Sequence, residues 1–312
     1  MALPTYLPQD RLRALARGET LPERTTGAAL FADISGFTPL TEKLTRTLGP
    51  RRGIEELTRT INAVYAALIA RVERFGGSVI GFAGDAMTCW LDELPDSGAH
   101  QPAAWRAVTA AFALQAVMRR FPDLGLKVAV TSGPARRLVV GDPADRYWDV
   151  LAGHTITRLA TAEHLASQGD VVVDEPTCQI LGDRARVEAW RTDADARFAV
   201  LADLADPAEA APAAMLPRAM SAEELGAWVN TAVLAREQAG QGAFLTEFRP
   251  AVALFLRFTG IDYEADAAGA QLDAFLRQVQ AALRLYEGTL IQLTIGDKGS
   301  YLYAAFGAPV AH

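Results

Sequence analysis

The sequence predicts an α+β fold: a ferredoxin-like βαββαβ domain followed by an incomplete second copy of itself. Three observations predict it. Of 312 residues, half are hydrophobic and 21% are charged, a globular composition with apolar side chains enough for about two domains. Apolar runs and helical periodicities follow one another as strand, helix, strand, strand, helix, strand, the split βαβ order. The opening of that order then recurs late in the chain.

Residues 1–25 read as a short lead, and residues 26–202 as the first domain. Ala28–Ile34 is an apolar run ending beside a carboxylate, a buried strand. A helical stretch starts at Thr38, breaks at Gly49-Pro50 and resumes over Ile54–Phe75. There Leu57, Ile61, Val64, Leu68 and Val72 fall at helical spacing, and Gly76-Gly77 stops them. Ser78–Ala83 and Met87–Leu91 flank Gly84-Asp85 as a β-hairpin. Trp105–Phe121 is a second helix, ended by Pro122. Leu126–Thr131 and Arg137–Val140 read as two strands, Ile156–Leu165 as a helix and Val171–Val173 as a strand, with additions after it. Residues 203–247 form an Ala-, Pro- and Glu-rich linker with some helix around Ala222–Glu237.

Residues 248–312 restart the pattern. Leu30-Phe31-Ala32-Asp33-Ile34-Ser35-Gly36-Phe37 matches Leu254-Phe255-Leu256-Arg257-Phe258-Thr259-Gly260-Ile261. Phe75-Gly76-Gly77-Ser78-Val79-Ile80 matches Tyr286-Glu287-Gly288-Thr289-Leu290-Ile291. One extra residue later, Gly84-Asp85 meets Gly296-Asp297. The second copy stops after its hairpin: either the chain is a fragment of a longer protein or the second copy is vestigial, and a cut inside a fold unit favours the fragment.

A formal net charge of -7 provides no broad positive surface for nucleic acid or anionic lipid. No apolar run approaches the roughly 18 residues that span a bilayer. Two distant cysteines, Cys89 and Cys178, suit a reducing, cytoplasmic location rather than a disulfide framework. The histidines His100, His154, His164 and His312 lack metal-ligand spacing, and no Gly-x-x-x-x-Gly-Lys-Ser/Thr loop is present.

Asp33 ends the first strand and Asp85 sits in the hairpin turn. In a ferredoxin-like sheet those two strands are neighbours, so the carboxylates converge at one sheet end. Two carboxylates and a backbone carbonyl suit a hard cation such as Mg²⁺, which keeps its other places for water and phosphate oxygens. Ser35-Gly36-Phe37-Thr38 joins the strand to a helix whose N-terminus aims N–H groups at an anion. Singly, Asp33 is an ordinary helix cap and Asp85 an ordinary turn residue. Together, and within a repeat, they describe a nucleoside triphosphate site.

FADISGFTPLTEKL, then FGGSVIGFAGDAMTCW, resembles a class III adenylate/guanylate cyclase catalytic domain, of the tandem-domain, soluble adenylyl cyclase-like type and its bacterial relatives. The resemblance covers residues 28–202 and the start of a second domain at 248–312. It implies conversion of ATP, or GTP, to a cyclic nucleotide and pyrophosphate with two Mg²⁺ or Mn²⁺ ions, in intracellular signalling. It implies a site between two cyclase domains, the partner domain coming in cis or from another chain, and an ATPase or helical-repeat region further along the full-length protein. No nucleic acid and no membrane is implied. Asp33 and Asp85 resemble the metal-binding aspartates and the Ile34 carbonyl a further metal ligand. The backbone of Ser35, Gly36, Phe37 and Thr38, with Gly84, resembles the phosphate-binding segment. Lys127 stands where the family has a phosphate-contacting basic residue, and reads equally as a solvated strand end.

The departures point to one working site. Arg257 stands at the first aspartate position of the second copy. In the family pattern Gly-x-x-Val-Asn-x-x-x-Arg, Gly153 and Ile156 keep the frame, but Thr157 and Thr161 replace the Asn and Arg; Arg158 projects differently. At the base-recognition lysine position stand Gly81 and Gln292; an amide at 292 reads an adenine or a guanine edge. Gly81 and Ala160 stand where a bicarbonate pocket would need a lysine and an arginine. A second reading is an ATP- and metal-binding sensor module acting on a downstream effector. A diguanylate cyclase ranks far behind, because Gly76-Gly77 is followed by Ser-Val. Arg136-Arg137 reads as a solvated hairpin, Trp105, Phe112 and Met118 as core, His154 and His164 as packing or surface residues, and Asp297-Lys298-Gly299 as a turn.

Overall fold

A computed structural model of the chain describes residues 3–93, 101–210, 216, 218–240, 250–295 and 300–308. From the N-terminus come α1 (Gln9–Arg17), β1 (Arg24–Ser35), α2 (Phe37–Leu48), α3 (Pro50–Arg74), β2 (Ser78–Ala83), β3 (Ala86–Asp92), α4 (Ala103–Met118) and β4 (Gly125–Val140). There follow β5 (Trp148–Ala152), α5 (His154–Leu165), β6 (Val171–Asp174), α6 (Glu175–Leu181), β7 (Ala185–Asp193) and β8 (Ala196–Leu204). The chain continues through α7 (Ala222–Gly226), α8 (Thr231–Gln238), β9 (Val252–Phe258), α9 (Ala268–Leu285), β10 (Gly288–Thr294) and β11 (Ser300–Phe306). Among the described residues no helix is long and apolar enough to cross a membrane.

Two compact units emerge, grouping the chain differently from its four sequence segments. One holds residues 26–134 and 157–214; the other holds 1–25, 135–156 and 215–312. In the first, the sheet runs β2-β3-β1-β4-β6-β8-β7. β1 pairs antiparallel with β3, Asp33 opposite Ala86, and β4 pairs parallel with β6. Leu30, Ala32 and Ile34 of β1 pack with Val64, Leu68 and Val72 of α3, Leu114 of α4 and Val128 and Val130 of β4, all fully or almost fully buried. Each buried Leu, Ile or Val side chain contributes about 1.5–3 kcal/mol. Ala103, Ala107, Ala110 and Ala111 keep α4 slim where it packs into the core. Met118 is a core residue as read, while Phe112 and Trp105 are partly buried at its margin, Trp105 with Nε1 donating to the Asp206 carbonyl (2.9 Å).

The two strands read at Leu126–Thr131 and Arg137–Val140 are one, β4. Ser132-Gly133-Pro134 looks like a break in sequence. The strand changes one of its partners there, from β6 at Val128–Val130 to β5 at Arg136–Val140.

In the other unit, Leu138, Val140, Trp148 and Val150 of β4 and β5 pack with Leu272, Leu276 and Leu283 of α9 and Leu302 and Ala304 of β11. Leu3, Leu7 and Leu12 form a second cluster with Leu225 and Val229. The linker's helical stretch is two helices, α7 and α8, started by a Ser221–Glu224 capping box and by Asn230. Arg136 and Arg137 are buried at 2% and 3% exposure, which corrects their reading as a solvated hairpin. Arg137 meets Asp149 (2.5 Å) and Asp10 (2.8 Å), Arg11 also meets Asp149 (2.9 Å), and Arg136 pairs with Glu23 and donates to the Ala265 carbonyl (2.7 Å). Both arginines point inward because carboxylates distant in sequence receive them.

The second copy keeps the topology of the first. Its strand order β10-β11-β9 mirrors β2-β3-β1. Its hairpin carries the same β-bulge, between Leu290 and Gln292 where the first has Val79 and Gly81. Gly260 has φ +96° where Gly36 has +99°, and Glu287 has +56° where Gly76 has +76°. These are the left-handed positions that the sequence match pairs. The turn read at Asp297-Lys298-Gly299, with Gly296, lies outside the described residues.

Candidate functional site

β1 delivers Asp33 to the sheet end where the β2–β3 hairpin turns. The Ile34 N–H donates to the Asp85 carbonyl (3.2 Å), so the two segments are tied at the backbone. Gly84 takes φ +64° in that two-residue turn, and Asp85 is exposed beside it. The Asp33 carboxyl is partly buried. Burial lifts its pKa above the ordinary value, nearby Asp85 adds to the rise, and Lys127 opposes it.

Gly36 holds the turn into α2. At φ +99°, a side chain there would be strained and its Cβ would sit 2.7 Å from the Asp123 carbonyl. No side chain caps α2, whose hydrogen-bond ladder begins with the Leu40 N–H on the Gly36 carbonyl (3.0 Å). The first-turn N–H groups, at Phe37 and Thr38, therefore have no capping side-chain acceptor, which is the arrangement an anion occupies. Lys43 and Asp123 pair (2.8 Å) on the same side of the protein.

Lys127, near the start of β4, is neither free nor a simple solvated strand end. Its Nζ lies 3.2 Å from Asp33 Oδ2 and 2.5 Å from Glu163 Oε1 of α5. Burial works against its charge, but the two carboxylates outweigh that and raise its pKa.

Two residues of this site escaped the sequence reading. Glu163 is the first. The second is Tyr65 of α3, which stacks edge-on against Phe82 (5.3 Å). Its hydroxyl is pushed up to about 12, chiefly by burial and then by the charges of Asp85 and Asp33. Tyr65 falls four residues after Ile61 and packs partly buried against the core, which in sequence reads as one more core aromatic.

The other predicted positions have settings of their own. Arg158 donates to Asp174 (2.7 Å) and to the Ser132 carbonyl (2.8 Å), so it is committed to the buried start of α6. Thr161 donates to the Thr157 carbonyl (3.4 Å), along its own helix. Gly81 faces open space. Gln292 belongs to the other unit, on β10, with Nε2 on Thr294 Oγ1 (2.8 Å). Arg257 lies on β9 opposite Tyr301.

Among the described residues no three His, Cys, Asp or Glu side chains gather as a metal cage. The donor set still fits Mg²⁺ or Mn²⁺ in the mode that uses one or two carboxylates and fills the remaining places with water and phosphate. Asp33 and Asp85 would hold the ions, with the Ile34 carbonyl at the same strand end.

No family model matches the chain. In sequence it is 26% identical to adenylate cyclase type 10 of Rattus norvegicus over 94% of its length, and 24% identical to that of Homo sapiens over 91%. It spans about a fifth of those relatives. In structure it is similar to the adenylyl cyclase CyaB from P. aeruginosa, with TM-score 0.50 and 18% identity over 59% of this chain and 97% of that one. A bacterial light-regulated adenylyl cyclase gives TM-score 0.51 and 15% identity over 64% of this chain and 59% of that one. The chain is thus homologous to adenylate cyclase type 10 and has the fold of class III cyclase domains.

Proposed function

We propose that this chain, a homologue of adenylate cyclase type 10 with a class III cyclase fold, carries the metal- and phosphate-binding half of a nucleotidyl cyclase that converts ATP to cyclic AMP and pyrophosphate. The observation that carries the reading is one sheet end. Asp33, Asp85, the Gly36 turn with its uncapped helix and Lys127 converge there in a single compact unit.

Asp33 and Asp85 would hold two divalent cations. When bound, those ions favour ionisation of the ribose 3′-hydroxyl and offset charge on the departing pyrophosphate. The N–H groups from Ser35 to Thr38 take the terminal phosphates and so orient the α-phosphate for in-line attack. Lys127 adds positive charge at the edge of the same site. The unit that holds the metal site carries threonines at 157 and 161, with Arg158 tied to Asp174, so a completed second domain supplies the groups that stabilise the transition state. Arg257 keeps a fixed positive charge where a metal carboxylate would be needed, so the second copy does not form a metal site. Gln292 reads the base.

The test is cyclic nucleotide formation with Mn²⁺ or Mg²⁺ and ATP or GTP, by this chain and by a longer one that completes the second repeat. Turnover by the longer chain alone supports a one-site tandem enzyme, and its preferred base fixes the substrate. A second reading, a nucleotide- and metal-binding sensor, is favoured by the open glycine at 81 and the amide at 292. Nucleotide and metal binding by both chains without turnover would select it.

A further inference from the structure

We propose that Lys127 is a built-in counter-ion which a divalent cation must displace from Asp33, and that Glu163 is the positioning residue that retains the displaced ammonium. This rests on the assignment of Asp33 to metal binding. One ammonium bridges two carboxylates, 3.2 Å from Asp33 Oδ2 and 2.5 Å from Glu163 Oε1. All three side chains are only about a quarter exposed, at 25%, 24% and 19%, so water screens them incompletely.

A divalent cation approaches a carboxylate oxygen to about 2.1 Å. An ammonium on the same carboxylate would then face a doubly charged ion at close range, and the two repel. Metal entry therefore exchanges the Lys127–Asp33 contact for a metal–Asp33 bond. Glu163 makes the exchange inexpensive, because the ammonium keeps its shorter carboxylate contact throughout. It also holds Nζ at the rim of the site, where an incoming phosphate is the next acceptor. Without Glu163 the lysine would have Asp33 alone and would cling to it.

The three residues thus form a coupled set with opposite signs. In nucleotide-free protein, Lys127→Met should tighten Mn²⁺ binding, and Glu163→Gln should weaken it, each by roughly three- to tenfold, the worth of a partly screened charged contact. Lys127→Arg, which keeps the charge, should stay close to wild type. In the Lys127→Met background the Glu163→Gln effect should vanish, since Glu163 acts only through the lysine.

The experiment is a Mn²⁺ titration of this chain without nucleotide, reading free Mn²⁺ by electron paramagnetic resonance, for the wild type and these variants, with Asp33→Asn as reference. Loss of binding in Asp33→Asn, tightening in Lys127→Met and non-additivity in the double variant support the proposal. If Asp33→Asn binds Mn²⁺ like the wild type, the metal assignment itself falls. If Asp33→Asn loses binding while Lys127→Met stays within twofold of wild type, displacement is overturned and the assignment stands. Equal Glu163→Gln effects with and without Lys127 would overturn the role of Glu163.

Discussion

At the scale of single residues, the candidate site depends on two carboxylates that differ in setting, Asp33 partly buried and Asp85 exposed. In a chain extended to complete the second copy, Asp33→Ala or Asp85→Ala should abolish metal-dependent cyclic nucleotide formation while the circular dichroism spectrum is unchanged. Normal turnover by either variant would remove it from the metal site. Gly36→Ala should act on both structure and ligand. It strains a +99° backbone against the Asp123 carbonyl, costing about 1–3 kcal/mol, and should weaken nucleotide binding more than bare Mn²⁺ binding. Asp33, Asp85 and the Gly36 turn were legible because strand end, Gly-Asp turn and helix start are all local signals. Glu163 and Tyr65 were not. Each reaches the site from a helix far along the chain from the residue it serves, and nothing local marks the encounter.

At the scale of elements, the buried ion cluster of α1, β4 and β5 shows what charge in a sequence conceals. Arg137 reads as solvated until Asp10, 127 positions away, and Asp149 are seen to receive it. Burial alone would raise the Asp149 carboxyl, but Arg137 and Arg11 outweigh it and hold the carboxyl below the usual range. The native pKa lies under the unfolded one, so the stabilisation is present above the unfolded value of about 3.9 and is lost as pH falls through the native value. Urea unfolding followed from pH 6 to pH 3 should therefore show this unit weakening below about pH 4. Asp149→Asn leaves buried guanidinium charge undercompensated and should cost about 3–5 kcal/mol at pH 7, with much of that acid sensitivity gone. An acid profile identical in the variant and the wild type would separate the cluster from acid stability. β4 was misread for a related reason: Gly133-Pro134 marks a change of partner strand, and a sequence shows the proline without showing the partners.

At the scale of the molecule, the repeat was the most legible feature, and it survives in backbone detail, with the bulge and the left-handed positions recurring in register. The assembly of the units was hidden, because compactness is decided by contacts between distant segments. Residues 1–25, read as a lead, bury Leu3, Leu7 and Leu12 against Leu225 and Val229. Removing residues 1–23 should therefore raise hydrogen exchange in β5, α7 and α9 while leaving β1, α3 and β6 protected. Unchanged protection of α7 would show that the first helix is dispensable. This arrangement also has a consequence for synthesis on the ribosome. The first 25 residues emerge roughly 190 residues before the segment that covers them. At about 5–20 residues per second, the apolar face of α1 waits about 10–40 s for its partner. During that interval Leu3, Leu7 and Leu12 stay uncovered by Leu225 and Val229, an apolar set on the nascent chain to which a holding chaperone can bind.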